Sequence, residues 1–164
     1  MRGDFRIGHG FDAHRFKRGR KLVLGGIEIP HSAGLAGHSD ADVLLHALIN
    51  AILGALGEGD IGVHFPDSDA RYKNISSAKL LEKVLQTMRR AKFSIVNGDV
   101  TVIAEKPRLA PHYEKIRRRL AQLLQTPAAR INLKAATTEG MGWIGAEEGI
   151  AATAVVLLEA RRKA

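Results

Sequence analysis

Asp12 and His14 stand two residues apart in GHGFDAHRF, directly after Gly8 and Gly10, where an N-terminal strand is expected to end. In an extended chain, side chains two apart point the same way, so Gly8, Gly10, Asp12 and His14 share one face. Such a face either holds a metal ion or is a glycine-rich turn whose polar residues meet water. His46 poses the same choice inside SDADVLLHALINAILGALG, the most hydrophobic segment of the chain. It is either a satisfied core histidine or a ligand. Taken with Asp12 and His14 it completes three nitrogen and oxygen donors, leaving a fourth tetrahedral position open, the pattern of a catalytic zinc rather than a structural one. Asp42, one helical turn earlier, could orient the His46 imidazole or serve as an alternative ligand.

Other polar groups cluster in three places. In GHSDAD, Gly37 to Asp42, the amides of a helix N-terminus offer an anion site to which His38 and Ser39 could add donors. Alternatively Ser39 only caps the helix and His38 faces water. Asp40 and Asp42 would repel a phosphate unless a cation intervened, so the anion reading leans on the metal reading. GDIGVHFPDSD, Gly59 to Asp69, has the composition of turns, or else uses its aspartates to accept hydrogen bonds from substrate hydroxyls. In KAATTEGMGWIGAEEG the hydroxyls of Thr137 and Thr138 suit phosphate oxygens, and Glu139 could hold a harder cation such as magnesium. The plainer alternative is a strand end running into a glycine loop. There is no G-x-S-x-G elbow, Walker loop or dinucleotide fingerprint, so the nucleophile is not expected to be a protein side chain.

The elements that must position these groups follow from periodicity. Ser39, with Asp42 three residues on, reads as the N-cap of a buried core helix ending at Gly57. A second helix over about Ser76 to Ala91 puts Leu80, Leu81, Val84, Leu85 and Met88 on one face. A third, after Pro111, buries Tyr113, Ile116, Leu120, Leu123 and Leu124 and turns Lys115, Arg117, Arg118 and Arg119 outward. Strands are expected at Phe5 to His9, Leu22 to Leu24, Ile27 to Ile29, Ile95 to Ala104, Ile131 to Ala135 and Ile150 to Leu158, with Gly25 and Gly26 turning a hairpin. Alternating strands and helices in 164 residues without a repeat or linker predict one α/β domain, 1–164, with a mixed sheet.

Composition removes several classes. No cysteine is present, which excludes disulfides, a thiolate nucleophile and a Cys-ligated metal. The N-terminus shows no apolar leader, and a cytoplasmic protein without membrane partners is expected. The net charge of +8 gathers in Arg15 to Lys21, Lys115 to Arg119 and Arg161 to Lys163, read as solvated faces and a basic tail. Single-stranded nucleic-acid binding needs aromatics interleaved with basic groups, and the five Phe, two Tyr and one Trp are scattered, so no nucleic-acid partner is expected.

Five segments in order, GHGFDAH, GHSDADVLLHAL, GDIG with FPDSD, IAEKPRLAPH and LKAATTEGMGW, resemble the 2-C-methyl-D-erythritol 2,4-cyclodiphosphate synthases from about Arg6 to Leu158. The resemblance implies a homotrimer of single-domain subunits with active sites between neighbours. Each subunit is implied to be an α/β (α+β) fold, a mixed four- to five-stranded sheet with three helices on one face plus a small hairpin. It implies zinc on Asp12, His14 and His46, with Gly8 and Gly10 letting substrate and backbone approach closely, and magnesium or manganese between phosphates near Glu139. His38 and Thr137 match the catalytic positions. Ser39, Asp60, Ile61, Gly62, Phe65, Pro66, Asp67, Ser68 and Asp69 match the substrate site, with Trp143 as a further contact. Ala104, Glu105, Lys106, Pro107, Arg108, Leu109, Ala110, Ala136 and Thr138 match the cytidine pocket. The implied reaction is intramolecular: a 2-phosphate attacks the β-phosphate of the substrate's own cytidine diphosphate group and expels CMP.

Departures touch other positions. Ala146, Glu147, Glu148 and Gly149 stand where the family commonly has Arg-Gly-Glu-Gly, Asn50 replaces a frequent aspartate, Ala136 a frequent threonine, and Arg108 a usual lysine. Loss of that arginine weakens the expectation of an anion in the trimer's central cavity. The rival readings are a zinc phosphohydrolase, which would make an acyclic product, a basic nucleic-acid module, and an inactive paralogue.

Overall fold

The computed structural model describes residues 4–161, so Arg162 and Lys163 of the basic tail lie outside the described residues. Its strands are β1 (Phe5–Arg18), β2 (Leu22–Leu24), β3 (Ile27–Ile29), β4 (Ala33–Leu35), β5 (Phe93–Ile103), β6 (Ile131–Ala136) and β7 (Gly149–Ala160). Its α-helices are α1 (Val43–Leu56), α2 (Ile61–His64), α3 (Ser77–Arg90), α4 (Tyr113–Leu124) and α5 (Gly142–Gly145).

The first strand does not end at His9. It continues because β7 pairs with it antiparallel from Phe5↔Glu159 to Arg15↔Gly149, and β4, which carries no strand signal of its own, pairs with Phe16 to Arg18. The five-stranded sheet has the order β4-β1-β7-β5-β6, antiparallel except for β5 beside β6. A mixed sheet is therefore correct. The small hairpin β2–β3 forms as expected, with Gly25 and Gly26 both at positive φ (+63° and +73°), the conformation that a two-residue turn between twisted strands requires.

Three helices cover one face: α1 lies over β1 and β7, α3 packs against β5, and α4 against β6. Twelve of the fourteen residues of α1 are buried, which explains why it is apolar nearly all round. Ser76 caps α3 by accepting from the Ala78 N–H. The cap expected at Ser39 lies elsewhere: Asp42 is the N-cap of α1, accepting from Leu45 N–H, and Ser39 Oγ instead accepts from Ala41 N–H. The opposite sheet face carries exposed Phe5, Ile7, Phe11 and Val155, with Ile7 73% accessible.

Gly8 and Gly10 serve helix packing. A Cβ on Gly8 would sit 1.8 Å from Ala51 O, and one on Gly10 2.0 Å from Ala47 O and 2.6 Å from Ala51 N. The opening these glycines create is filled by the backbone of α1, which corrects any reading in which they make room for substrate. Since backbone cannot rotate away as a side chain can, Gly10→Ala must push α1 off β1. Chemical denaturation is expected to show a loss of about 3 kcal/mol or more, and a variant within 0.5 kcal/mol of the parent would contradict this packing.

Candidate metal centre and adjoining cavity

The glycine packing sets α1 so that His46 faces the next two inward positions of β1, Asp12 and His14. Asp12 Oδ2 lies 2.8 Å from His46 Nδ1 and 2.9 Å from His14 Nε2, and the two ring nitrogens are 3.0 Å apart. All three donors point at one locus, and no cysteine or lysine intrudes. Two nitrogens and a carboxylate oxygen in this arrangement fit a divalent cation with a remaining position open to the cavity. Asp12 is partly buried, which opposes ionisation, yet hydrogen bonds from His14 and His46 outweigh burial and hold its carboxyl well below the usual carboxylate range. For His14 burial favours the neutral ring, but the hydrogen bond and charge of Asp12 prevail and raise its pKa.

Asp42 is neither a ligand nor an orienting partner of the His46 ring. Its carboxylate turns away and accepts from Gly25 N (2.9 Å), Gly26 N (2.6 Å) and Leu45 N (3.1 Å). Full burial pushes its pKa up to about 6 against those three donors. Of the amides in the first turn of α1, that of Leu45 is therefore taken by Asp42. The second ring nitrogen of His46 instead meets Ser77 Oγ at 2.9 Å and Ser39 Oγ at 3.2 Å.

Above the three donors opens a cavity of about 420 Å³. It is lined by Asp12, His14, His46, His38, Ser39, Ile61, Gly62, Phe65, Pro66 and Asp67, all singled out by sequence, and by Gly37, Tyr72 and Leu80, which were not. Phe65 and Tyr72 meet edge-on at 5.3 Å and form an apolar wall. Nε2 of His38 is buried without a hydrogen-bond partner among the described residues. Arg20, also missed, donates to the carbonyls of Gly37 (2.9 Å) and Ser39 and so clamps the loop that presents His38.

Other expected site residues stand elsewhere. Asp60 caps α2 through Val63 N, and Asp69 caps the short turn that follows it and pairs with exposed Arg71; with Ser68, neither lines the cavity. Trp143 flanks a separate groove with Ala13, His14, Arg15 and Glu148. Thr137, Thr138 and Glu139 form a second cluster where β6 ends: Thr137 donates to Glu139 (2.7 Å), and Glu105 accepts from Thr138 N (2.9 Å) and Thr138 Oγ1 (3.1 Å). Glu105 is the second residue of the Ala104 to Ala110 segment, in which Lys106 pairs with Glu147 at 2.9 Å. Within one chain this cluster does not line the metal cavity. That separation has no signature in a linear sequence.

Comparison with known proteins adds the following. The YgbB family model matches residues 5–159. A curated relative from Syntrophomonas wolfei, named 2-C-methyl-D-erythritol 2,4-cyclodiphosphate synthase, is 54% identical over 94% of this chain and 98% of its own length. Among solved structures, the bifunctional IspDF from Campylobacter jejuni is similar with a TM-score of 0.93 and 41% identity, covering 97% of this chain and 43% of that longer one. A 2C-methyl-D-erythritol-2,4-cyclodiphosphate synthase in a CDP-bound form is similar with a TM-score of 0.86 and 37% identity over 93% of this chain and 99% of that one.

Ligands must be unprotonated to bind a cation, so the raised pKa of His14 makes protons compete into the neutral range. Affinity for a divalent cation is expected to fall by at least about tenfold per pH unit below pH 6.5. Chelator competition between pH 8 and 5.5 measures this, and a flat profile would exclude His14 as a ligand.

Proposed function

The chain belongs to the YgbB family, matched over residues 5–159, and from that membership we propose that it makes 2-C-methyl-D-erythritol 2,4-cyclodiphosphate. The substrate is 4-diphosphocytidyl-2-C-methyl-D-erythritol 2-phosphate, and the step is a phosphorus–oxygen lyase reaction of isoprenoid biosynthesis. An oxygen of the 2-phosphate forms a bond to the β-phosphorus. The bond from that phosphorus to the bridging oxygen breaks, and CMP leaves with the electron pair. The observation that carries this reading is the convergence of Asp12, His14 and His46 beside a cavity also lined by Ile61, Gly62, Phe65, Pro66 and Asp67.

Because nucleophile and leaving group belong to one molecule, the protein's work is positioning and charge neutralisation. Asp12, His14 and His46 would hold zinc, which when bound supplies Lewis-acid withdrawal of charge from a phosphate oxygen. His38 lines the cavity, and a donor placed there before reaction stabilises charge developing on the β-phosphate. Arg20 keeps that loop in place. The Phe65–Tyr72 wall puts apolar rings along one side of the cavity, a surface that disfavours water and so favours ring closure over hydrolysis. Ser39, Gly62 and Asp67 face the erythritol phosphate region.

The second cluster supplies the nucleotide end. Glu105 fixes the Thr138 backbone and hydroxyl, leaving the Ala104 to Ala110 segment and Ala136 to receive cytidine, and Glu139 would hold magnesium or manganese beside Thr137. Since this cluster lies outside the metal cavity of its own chain, a complete site takes it from a second copy. A homotrimer with shared sites is the proposed assembly. The exposed stripe of Phe5, Ile7, Phe11 and Val155 supports it, because apolar patches of this kind mark association surfaces.

A phosphorus NMR time course with this substrate, zinc and magnesium is expected to show CMP and a cyclic diphosphate appearing together. CMP with an acyclic product would instead identify a hydrolase. Shared sites make a further demand: His46→Ala and Thr137→Ala are each expected to be nearly inactive, yet mixed trimers refolded from equal amounts should recover about a quarter of the parental rate. Recovery of none would place both residues in a single-chain site.

A further inference from the structure

The His46 ring has two nitrogens, and only one can face the three-donor locus. Nδ1 does so, 2.8 Å from Asp12 Oδ2. Nε2 points into the core towards Ser77 Oγ at 2.9 Å. A serine hydroxyl can donate or accept, so this contact alone leaves the ring's protonation open. Asp40 decides it. Its carboxylate accepts a hydrogen bond from Ser77 Oγ. The single hydroxyl proton of Ser77 is therefore committed to Asp40, and Ser77 Oγ can meet His46 only as an acceptor. Nε2 must then carry a ring proton, and in the cation-bound centre, where the ring is neutral, the lone pair stands on Nδ1.

Asp40 is itself held by the backbone. Its two carboxylate oxygens each lie 3.1 Å from Ser77 N, and Oδ1 is 3.3 Å from Asp42 N. Ser77 is wholly buried as the first residue of α3, so the hydroxyl has no water to turn to. Ser39 Oγ, 3.2 Å from the same ring nitrogen, accepts from Ala41 N–H and keeps a second lone pair for Nε2.

We propose that Asp40 and Ser77 form a carboxylate–serine–histidine relay that fixes the tautomer and orientation of His46, making both positioning residues for the metal centre. The relay rests on the reading of Asp12, His14 and His46 as metal ligands. It assigns to Asp40 the orienting role that spacing suggested for Asp42. It also ties the N-terminus of α3 to the centre, since the residue that begins that helix reaches the ligand. Removing an outer partner of a ligating histidine weakens metal affinity by about 10- to 100-fold.

The test is zinc affinity by chelator competition at pH 7.5, with circular dichroism and thermal melts on the same samples. Ser77→Ala is expected to bind zinc 10- to 100-fold more weakly, whereas Ser77→Thr, which keeps the hydroxyl, stays within a few-fold of the parent. His46→Ala separates the two layers of the argument. If His46→Ala binds as tightly as the parent, the metal reading itself fails; if it loses zinc while folded Ser77→Ala does not, the relay alone is overturned. Should Ser77→Ala not fold, nitrogen NMR of the zinc-loaded parent decides. A slowly exchanging His46 proton on Nε2, close to Ser77, supports the relay, and a proton on Nδ1 overturns it.

Discussion

The close approach of α1 to β1 is the constraint on which the remaining structure depends. With glycine at positions 8 and 10, helix backbone rests directly on strand backbone, Gly8 beneath Ala51 and Gly10 beneath Ala47. The two elements run in opposite directions and stay in step, since four helical residues rise about 6 Å and two strand residues about 6.8 Å. One step further along brings the inward positions Asp12 and His14 level with the turn that carries His46. The metal centre is the continuation of a packing pattern in which side chains replace glycines where the backbones no longer touch.

That closeness places polar groups in a core that otherwise excludes them, and each has a defined partner. Asp42 is wholly buried, yet it caps α1 and closes the Gly25–Gly26 turn, so one carboxylate ties the hairpin to the helix. Burial raises its pKa above the unfolded value, so its contribution to stability is greatest below about pH 3.8 and declines as pH rises through about 6. Asp12 works in the opposite sense: its depressed pKa stabilises the fold at neutral pH and ceases to do so as acid protonates it. Of the two carboxylates, the wholly buried one is structural and the partly buried one is reserved for a cation.

Much of this was legible from residue types. The helices over 77–90 and 113–124 lie where apolar periodicity put them, because each buries one stripe against the sheet. Asp12, His14 and His46 stood out because two polar residues on one strand face and a histidine in an apolar helix are unusual. What was not legible depends on partners distant in sequence. β1 reads as ending at His9 until β7 and β4 supply its hydrogen bonds. Gly8 and Gly10 look like an opening for a ligand until α1 fills it. Spacing made Asp42 the natural partner of His46, and only the fold reveals that it serves the hairpin. Ser77 and Arg20 carry no local signal, since their contacts bridge elements that a linear reading cannot bring together.

The most direct measurement is an anomalous difference map from crystals of the protein as purified, recorded on either side of the zinc absorption edge. One peak per chain bounded by Asp12, His14 and His46 is expected, present above the edge and weak below it. A zinc peak elsewhere, with no cation among these three residues, would contradict the assignment of the metal centre and every role derived from it.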